Sequence, residues 1–309
     1  MKHFINLQDI PAKDLRKILI DAKKRKTLRK RLNNLDVDPG SPLKGNLLIQ
    51  MFEKSSLRTR LSFYLAIKQL GGSTLTLRPD ELHLAKGGES IADTAKILTT
   101  YGDGFMLRTD SDKKIKDFGK FLSIPVINGL SLSSHPTQVL SDIFTLEEIK
   151  KKSISKLNIT WIGDSNNVLN SLIAASVKFK FKLNIGCPKK YVPNKSILNW
   201  VKNSKRKINI FYNPEKAAYK ADVIFSDKVV SLNDRVNKKK KLNDFKSFRV
   251  TKKLMSKTKR DCIFLHCLPR GKEVDEEVFY SKKSKVWQQA LNRVHVQKSI
   301  LLYCFGKLR

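Results

Sequence analysis

The run Phe52-Glu53-Lys54-Ser55-Ser56-Leu57-Arg58-Thr59-Arg60 puts hydroxyl and guanidinium side chains where a strand-like stretch gives way to a helical one. A helix N-terminus offers N–H groups without intrahelical partners and the positive end of the helix dipole, so it holds anions. Ser56 and Thr59 add hydroxyl donors there, and Arg58 adds a planar fork that matches phosphate oxygens. The same residues would also serve an ordinary serine N-cap followed by surface arginines. Two further positions weigh on that choice. Arg108 follows the apolar run Gly104 to Leu107, and His135-Pro136-Thr137-Gln138 opens a helical stretch after another strand. A histidine beside proline is more often a turn residue than a reactive one. An anion cradle, an arginine and a His/Gln pair at three strand ends of one half nevertheless suit a small ligand. That ligand would carry both phosphate and carbonyl oxygens.

The second half carries a different set. Gly163-Asp164-Ser165-Asn166-Asn167-Val168 lies between a strand and a helix, and a Gly/Asn-rich stretch can be merely a turn. Asp227 to Ser231 follows a strand, where an aspartate can be a solvated loop residue or a helix cap. His266-Cys267-Leu268-Pro269 follows the last strand, and a cysteine in such a place is usually a small buried hydrophobe. Arg293, within Ala290-Leu291-Asn292-Arg293, falls on a helical pattern where a surface arginine is the plain alternative. Each signal is weak alone, and their joint order is what carries information.

The elements that must position these residues alternate as in an α/β protein. Asp14 to Lys26 opens as a helix, with Leu15, Ile18, Leu19 and Ala22 at helical spacing. Asn46 to Phe52, Arg58 to Leu70 and Ser73 to Leu77 form a complete βαβ unit. A helix over Ser90 to Tyr101 and strands over Gly104 to Leu107 and Ile124 to Asn128 complete the first series. A long helical stretch, Thr137 to Lys152, crosses to the second. There the predicted strands are Leu157 to Gly163, Lys182 to Cys187, Ile208 to Tyr212, Asp222 to Ser226 and Asp261 to His266. Helices are predicted near Val168 to Phe179, Lys195 to Asn203 and Glu215 to Lys220, and a long closing helix within Lys285 to Phe305. The expected architecture is two doubly wound α/β domains with parallel sheets, linked by interdomain helices. Residues 1–135 form the first, with 285–305 packing back on it, and 150–284 form the second. Doubly wound sheets bind ligands beyond the carboxyl ends of their strands, where most of these motifs fall.

Composition narrows the classes. The 309 residues are 40% hydrophobic, enough for buried cores, yet no apolar run approaches the ~18 residues that span a bilayer. Met1 to Ile10 has neither the apolar core of a signal peptide nor an Arg/Ser-rich arm, so a cytoplasmic location is expected. Four scattered cysteines, none in a Cys-x-x-Cys pair, argue against disulfides and structural zinc. The net charge of +34 raises a nucleic-acid partner, but the excess is mostly lysine and spread along the chain. The densest runs, Lys23 to Arg31 and Lys238 to Lys241, read as solvated surface. Such a field attracts anions, which suits a phosphorylated substrate.

Ser-Ser-x-Arg-Thr-Arg followed by His-Pro-x-Gln resembles the carbamoyltransferase superfamily, which includes the aspartate and ornithine enzymes. Gly-Asp-x-Asn-Asn, Asp-x-x-x-Ser and His-Cys-Leu-Pro, in that order, resemble the ornithine branch, and the similarity spans essentially the whole chain. The resemblance implies that Ser56, Leu57, Arg58 and Thr59 form the phosphate-binding turn. It implies that Arg108, His135, Gln138 and Arg293 bind the carbamoyl and phosphate oxygens of carbamoyl phosphate, with His83 a contact lent to a neighbouring subunit. It further implies that Asn167 binds the ornithine carboxylate and Asp227 the α-ammonium. Ser231 and Leu232 would close over the amino-acid end, and Cys267 and Leu268 would lie beside the δ-amine. Arg58, Arg108, His135, Cys267 and Arg293 are thereby the expected catalytic set, His135 as a cation if protonated and Cys267 if activated by His266 or neighbouring charge. No metal or organic cofactor is implied; a trimer or a multiple of one is, as is a place in arginine metabolism. Two departures stand out. Leu57 replaces the family's usual threonine and loses one hydroxyl contact, and Ser231-Leu232-Asn233 replaces Ser-Met-Gly. Aspartate, putrescine or an acylated ornithine is the alternative acceptor, and a non-catalytic nucleic-acid-binding relative the more distant alternative.

Overall fold

The computed structural model describes residues 2–78, 88–230 and 237–308. It divides into two compact units, Met1–Phe144 with Ala290–Arg309, and Thr145–Gln289.

In the first unit the helix α1 (Ala12–Leu28) precedes alternating strands and helices. These are β1 (Leu47–Phe52), α2 (Leu57–Gln69), β2 (Ser73–Leu77), α3 (Ile91–Tyr101), β3 (Gly104–Arg108), α4 (Asp112–Phe121) and β4 (Val126–Leu130). The four strands are parallel in the order β2-β1-β3-β4. The near-continuous apolar runs of the central strands β1 and β3 are what a sheet covered on both faces requires, whereas the edge strand β2 alternates. Ile49, Met51, Phe105, Leu107 and Val126 pack with Ala95 and Leu98 of α3 and with Ile115 and Phe118 of α4. Helix α4 is not among the elements the sequence predicts. Its four lysines mask an apolar face of Ile115 and Phe118, and Ser111 caps it by accepting the Lys114 N–H. The direction of the sheet reverses between β1 and β3, the position where such sheets open a crevice for ligands. One extra residue, Gly129, sits in β4 opposite the junction of Leu107 and Arg108, so the register shifts there. A bulge of this kind re-aims the neighbouring side chain, here Arg108.

The second unit repeats the plan. Its elements are β5 (Asn158–Ile162), α6 (Asn167–Phe179), β6 (Lys182–Gly186), α7 (Lys195–Asn203), β7 (Asn209–Phe211), α8 (Pro214–Ala218) and β8 (Val223–Asp227). After these come α9 (Lys238–Asp244), α10 (Lys252–Ser256), β9 (Ile263–Cys267) and α11 (Glu276–Phe279). The strands are parallel in the order β7-β6-β5-β8-β9, with the reversal between β5 and β8. The two unit boundaries fall inside helices α5 (Pro136–Lys150) and α12 (Val286–Cys304). Within the first unit, α12 is tied down by charge. Buried Lys298 donates to both Asp38 oxygens at 3.1 and 2.9 Å, and Arg29 reaches the same carboxylate at 2.9 Å. Among the described residues no helix is long and apolar enough to cross a membrane.

Candidate active site

Each unit carries its own group of candidate residues, at the reversal point of its own sheet. In the first, β1 runs into the turn that starts α2, and β3 ends on Arg108. Ser56 is the N-cap of α2 by backbone geometry, yet its side chain caps nothing. Ser90, Ser111 and Asn166, by contrast, each accept an N–H from the helix that follows. The α2 hydroxyl is thus not spent on the helix. Leu57 lies 71% exposed at the first helical position. Thr59 is buried, and its Oγ1 accepts from Arg108 Nη1 at 3.3 Å and from Arg293 Nη2 at 2.8 Å. Arg293 also donates Nη1 to Gln138 Oε1, and Gln138 donates Nε2 to Asp142 at 2.8 Å. The helical arginine is 3% exposed, which rules out the surface role its sequence position allowed.

His135 joins this cluster at 2% exposure. Burial first, and then the charges of Arg293, Arg108 and Arg58, push its imidazole well below the usual histidine range. Of the two charge states that the sequence leaves open for His135, the neutral one is favoured. It is a neutral hydrogen-bonding group, and the arginines hold the positive charge. Burial also disfavours the imidazolium directly, since it would be desolvated among cations.

Behind the cradle stands a carboxylate that sequence reasoning did not single out. Glu53 accepts from Lys114 Nζ and from the Thr109 hydroxyl, and its N–H donates to the Arg108 carbonyl at 2.9 Å. It joins the ends of β1 and β3, which fixes where Arg108 starts. An acidic residue inside an otherwise cationic motif was the available signal. His83 lies outside the described residues.

In the second half, β5 ends at a turn whose first residue, Gly163, has φ +146°, a conformation side chains rarely adopt. Trp161 Nε1 donates to the Asp164 carbonyl at 3.1 Å and Ser165 Oγ to the Tyr191 carbonyl at 2.6 Å, which pins the turn. Asn166 caps α6, its Oδ1 accepting the Val168 and Leu169 N–H groups at 3.0 Å each. Its Nδ2 donates to Asp227 Oδ2 at 2.7 Å. Asn167, the residue expected to contact ligand, is the first residue of α6 and half-buried. Asn166, not Asn167, makes the bond to Asp227, a placement the sequence does not predict. An Asn just before an apolar helical run is a recognisable cap signal, but its second bond to a strand 61 residues away is not.

Asp227 ends β8 and Cys267 ends β9, and the two are register partners on adjacent strands. Burial raises the Asp227 carboxyl to about 6, with the Glu273 charge adding; His266, the Lys228 N–H and Asn166 oppose the rise. Cys267 is the one half-buried thiol among the described cysteines. Burial pushes Cys187 and Cys262 up to about 11. His266 is one of two activators the sequence offers for Cys267, the other being neighbouring charge. Successive strand residues point to opposite faces, and His266 Nε2 instead meets buried Glu273 Oε1 at 2.9 Å. The same carboxylate oxygen accepts the Gly271 N–H at 2.6 Å. Burial would raise the Glu273 carboxyl, but the His266 contact and these donors outweigh it and hold it below the usual range. His266 therefore braces the Cys267-to-Gly271 turn, which carries Leu268. Ser231 and Leu232, with Asn233, lie outside the described residues.

The lysine run also departs from its expected solvated role. Lys238, Lys239 and Lys240 are exposed, but Lys241 is buried and pairs with Asp164 at 2.6 Å. Among the described residues no three His, Cys, Asp or Glu side chains are grouped to hold a metal ion.

Residues 2–148 match the family model described as the aspartate/ornithine carbamoyltransferase carbamoyl-P binding domain, and residues 155–304 match the Asp/Orn binding domain of the same enzymes. The chain is 38% identical over 307 residues to the ornithine carbamoyltransferase of Agrobacterium fabrum, covering 99% of this chain and 98% of that one. It is 40% identical over 307 residues to that of Rhodopseudomonas palustris, covering 99% and 97%. Among solved structures, the ornithine carbamoyltransferase of Pyrococcus furiosus superposes with a TM-score of 0.92 at 37% identity, covering 99% of this chain and 97% of that one. The anabolic enzyme of Campylobacter jejuni gives 0.88 at 34% identity, with 99% and 100% covered.

Proposed function

Since the chain belongs to the aspartate/ornithine carbamoyltransferase family, we propose that it moves the carbamoyl group of carbamoyl phosphate to the δ-amine of L-ornithine, giving L-citrulline and phosphate. The observation that carries this reading is the cluster in which one Thr59 hydroxyl holds half-buried Arg108 and buried Arg293, from separate elements, beside neutral His135 and Gln138. Such a set suits a mixed anhydride of phosphate, with a polarisable carbonyl.

In this reading the phosphate rests on Ser56 to Thr59 and Arg108. Arg293, Gln138 and His135 address the carbamoyl group. The δ-nitrogen attacks the carbonyl carbon, and negative charge grows on the carbonyl oxygen. Fixed donors aimed at that oxygen stabilise it without reorganising. The C–O bond to phosphate then breaks, the arginines take up the phosphate charge, and the attacking nitrogen loses a proton. That nitrogen must be neutral to attack, although a free amine of this kind titrates near ~10.4. Cationic surroundings favour the neutral amine. Asn167 takes the ornithine carboxylate, Asp227 the α-ammonium, and Cys267 and Leu268 flank the side chain, with Cys267 available to the departing proton. Ser231, Leu232 and His83 complete the proposed contacts. The same reading gives the protein a place in arginine biosynthesis, a cytoplasmic location and a trimeric assembly. Leu57, Leu61 and Tyr64 support the last, as an exposed apolar stripe along α2 of the kind that marks protein contacts.

The test is colorimetric citrulline formation by the purified protein with ornithine, aspartate, putrescine and acetylornithine supplied in parallel. Ornithine is expected to be the preferred acceptor by at least ~100-fold in kcat/KM, the scale on which a site loses an analogue that leaves its polar groups unpaired. Equal or better use of another acceptor overturns the assignment.

A further inference from the structure

Four consecutive lysines start α9, and one of them turns inward. Lys238, Lys239 and Lys240 stay in solvent, whereas the Lys241 side chain is 7% exposed, against 14% for its partner Asp164. The pair is 2.6 Å apart, and Lys241 Nζ also lies 5.8 Å from the centre of the Tyr191 ring. The far end of α9 is anchored by Asp244, which accepts the Tyr191 hydroxyl at 3.0 Å, and by Phe245, whose ring lies 4.7 Å from that of Tyr191. Lys241 is thus held in place from several sides.

A buried ion pair is a weak source of stability, because removing both charges from water costs about what their attraction returns. Its position suggests a different use. Asp164 belongs to the five-residue turn that also holds Asn166 and Asn167. An uncompensated carboxylate there would repel any carboxylate bound by Asn167, in surroundings that screen charge poorly. The turn is also cross-linked twice. Asn166 meets Asp227 at the end of β8, and Asp164 meets Lys241 of α9.

We propose that Lys241 is a positioning and specificity residue for the amino-acid substrate. It cancels the charge of Asp164 and fixes the Gly163-to-Asn167 turn, so that the turn accepts an α-carboxylate. This rests on the reading that Asn167 receives the ornithine carboxylate.

Steady-state kinetics on the full-length protein test it, with wild type, Lys241→Met, Lys241→Arg and the double variant Asp164→Asn/Lys241→Met. Lys241→Met is expected to raise the ornithine KM by about tenfold or more, the size of one uncompensated charge contact. The inhibition constant of L-norvaline, which is ornithine without its δ-amine, is expected to rise in parallel. The carbamoyl phosphate KM and kcat are expected to stay within about threefold. The Arg variant keeps the charge and should restore the ornithine KM. The double variant removes both charges together and should recover most of the loss. A pair that served only stability would shift both substrates' KM alike and would show no recovery in the double variant; either result overturns the inference. Should Lys241→Met not fold, the double variant, which buries no unpaired charge, decides alone. An ornithine KM more than about tenfold above wild type then counts against the proposal. Wild-type protein that forms no citrulline counts against the carbamoyl-transfer reading instead, and calorimetric binding of ornithine to the same variants still decides the role of Lys241.

Discussion

Thr59 is where two guanidinium groups from distant parts of the sequence find a common acceptor. Replacing it by valine keeps the shape but strands buried donors, which costs about 1–3 kcal/mol. Thr59→Val is therefore expected to lower kcat/KM for carbamoyl phosphate by roughly 10- to 100-fold with little loss of fold, measured by initial rates and circular dichroism. Asp227 makes a prediction about pH. Its carboxyl titrates at about 6 in the folded chain against 3.8 in the reference state. Because the folded value is raised, its contribution to stability is present below 3.8 and is lost as pH rises through about 6. Pairing with an α-ammonium needs the ionised form, so binding has the opposite dependence. The ornithine KM should climb about tenfold for each pH unit below 6, while the carbamoyl phosphate KM, set in the other half by Thr59 and its arginines, should not follow it. A flat ornithine profile between pH 5 and 7 would remove Asp227 from the ammonium site.

At the level of elements, both halves use the same device, a strand end running into a helix start at the reversal of a parallel sheet. The two starts are finished differently. Ser56 leaves α2 uncapped by its side chain, whereas Asn166 caps α6 and reaches across to Asp227. Asn166→Ala should cost about 1–2 kcal/mol in denaturant unfolding for the lost cap and its extra bond. It should also raise the ornithine KM, since Asp227 loses a fixed neighbour. Asn213→Ala, at the start of α8, removes a cap of similar form far from these residues in the sequence. It should cost about 1 kcal/mol of stability and leave the ornithine KM unchanged. Equal kinetic effects in the two variants would mean that the Asn166–Asp227 contact is only structural.

For the whole molecule the dominant quantity is charge. A net +34 on 309 residues means mutual repulsion that folding must overcome. Added salt shortens the screening length from ~30 Å at 0.01 M to ~8 Å at 0.15 M. The melting temperature is therefore expected to rise with sodium chloride over this range, followed by calorimetry. The carbamoyl phosphate KM should rise over the same range, because the field that draws in a dianion is screened too. A melting temperature that falls with salt would show that the lysines are mostly paired attractively.

The alternation of apolar runs with helical patterns determined the two parallel sheets, because strand burial on both faces leaves a direct trace in composition. That the Ser56-to-Thr59 turn, Arg108, His135, Gln138, Asp227 and Cys267 fall at strand ends or helix starts was legible for a related reason, since such motifs keep their order and spacing along the chain. The protonation of His135 was not legible, because it depends first on burial and then on three arginines that only folding brings close. The partner of His266, the second bond of Asn166 and the inward turn of Lys241 were hidden likewise. A sequence records which side chains are available and how they are spaced locally. Burial and long-range pairing, which set their charge and their partners, exist only once the chain has closed on itself.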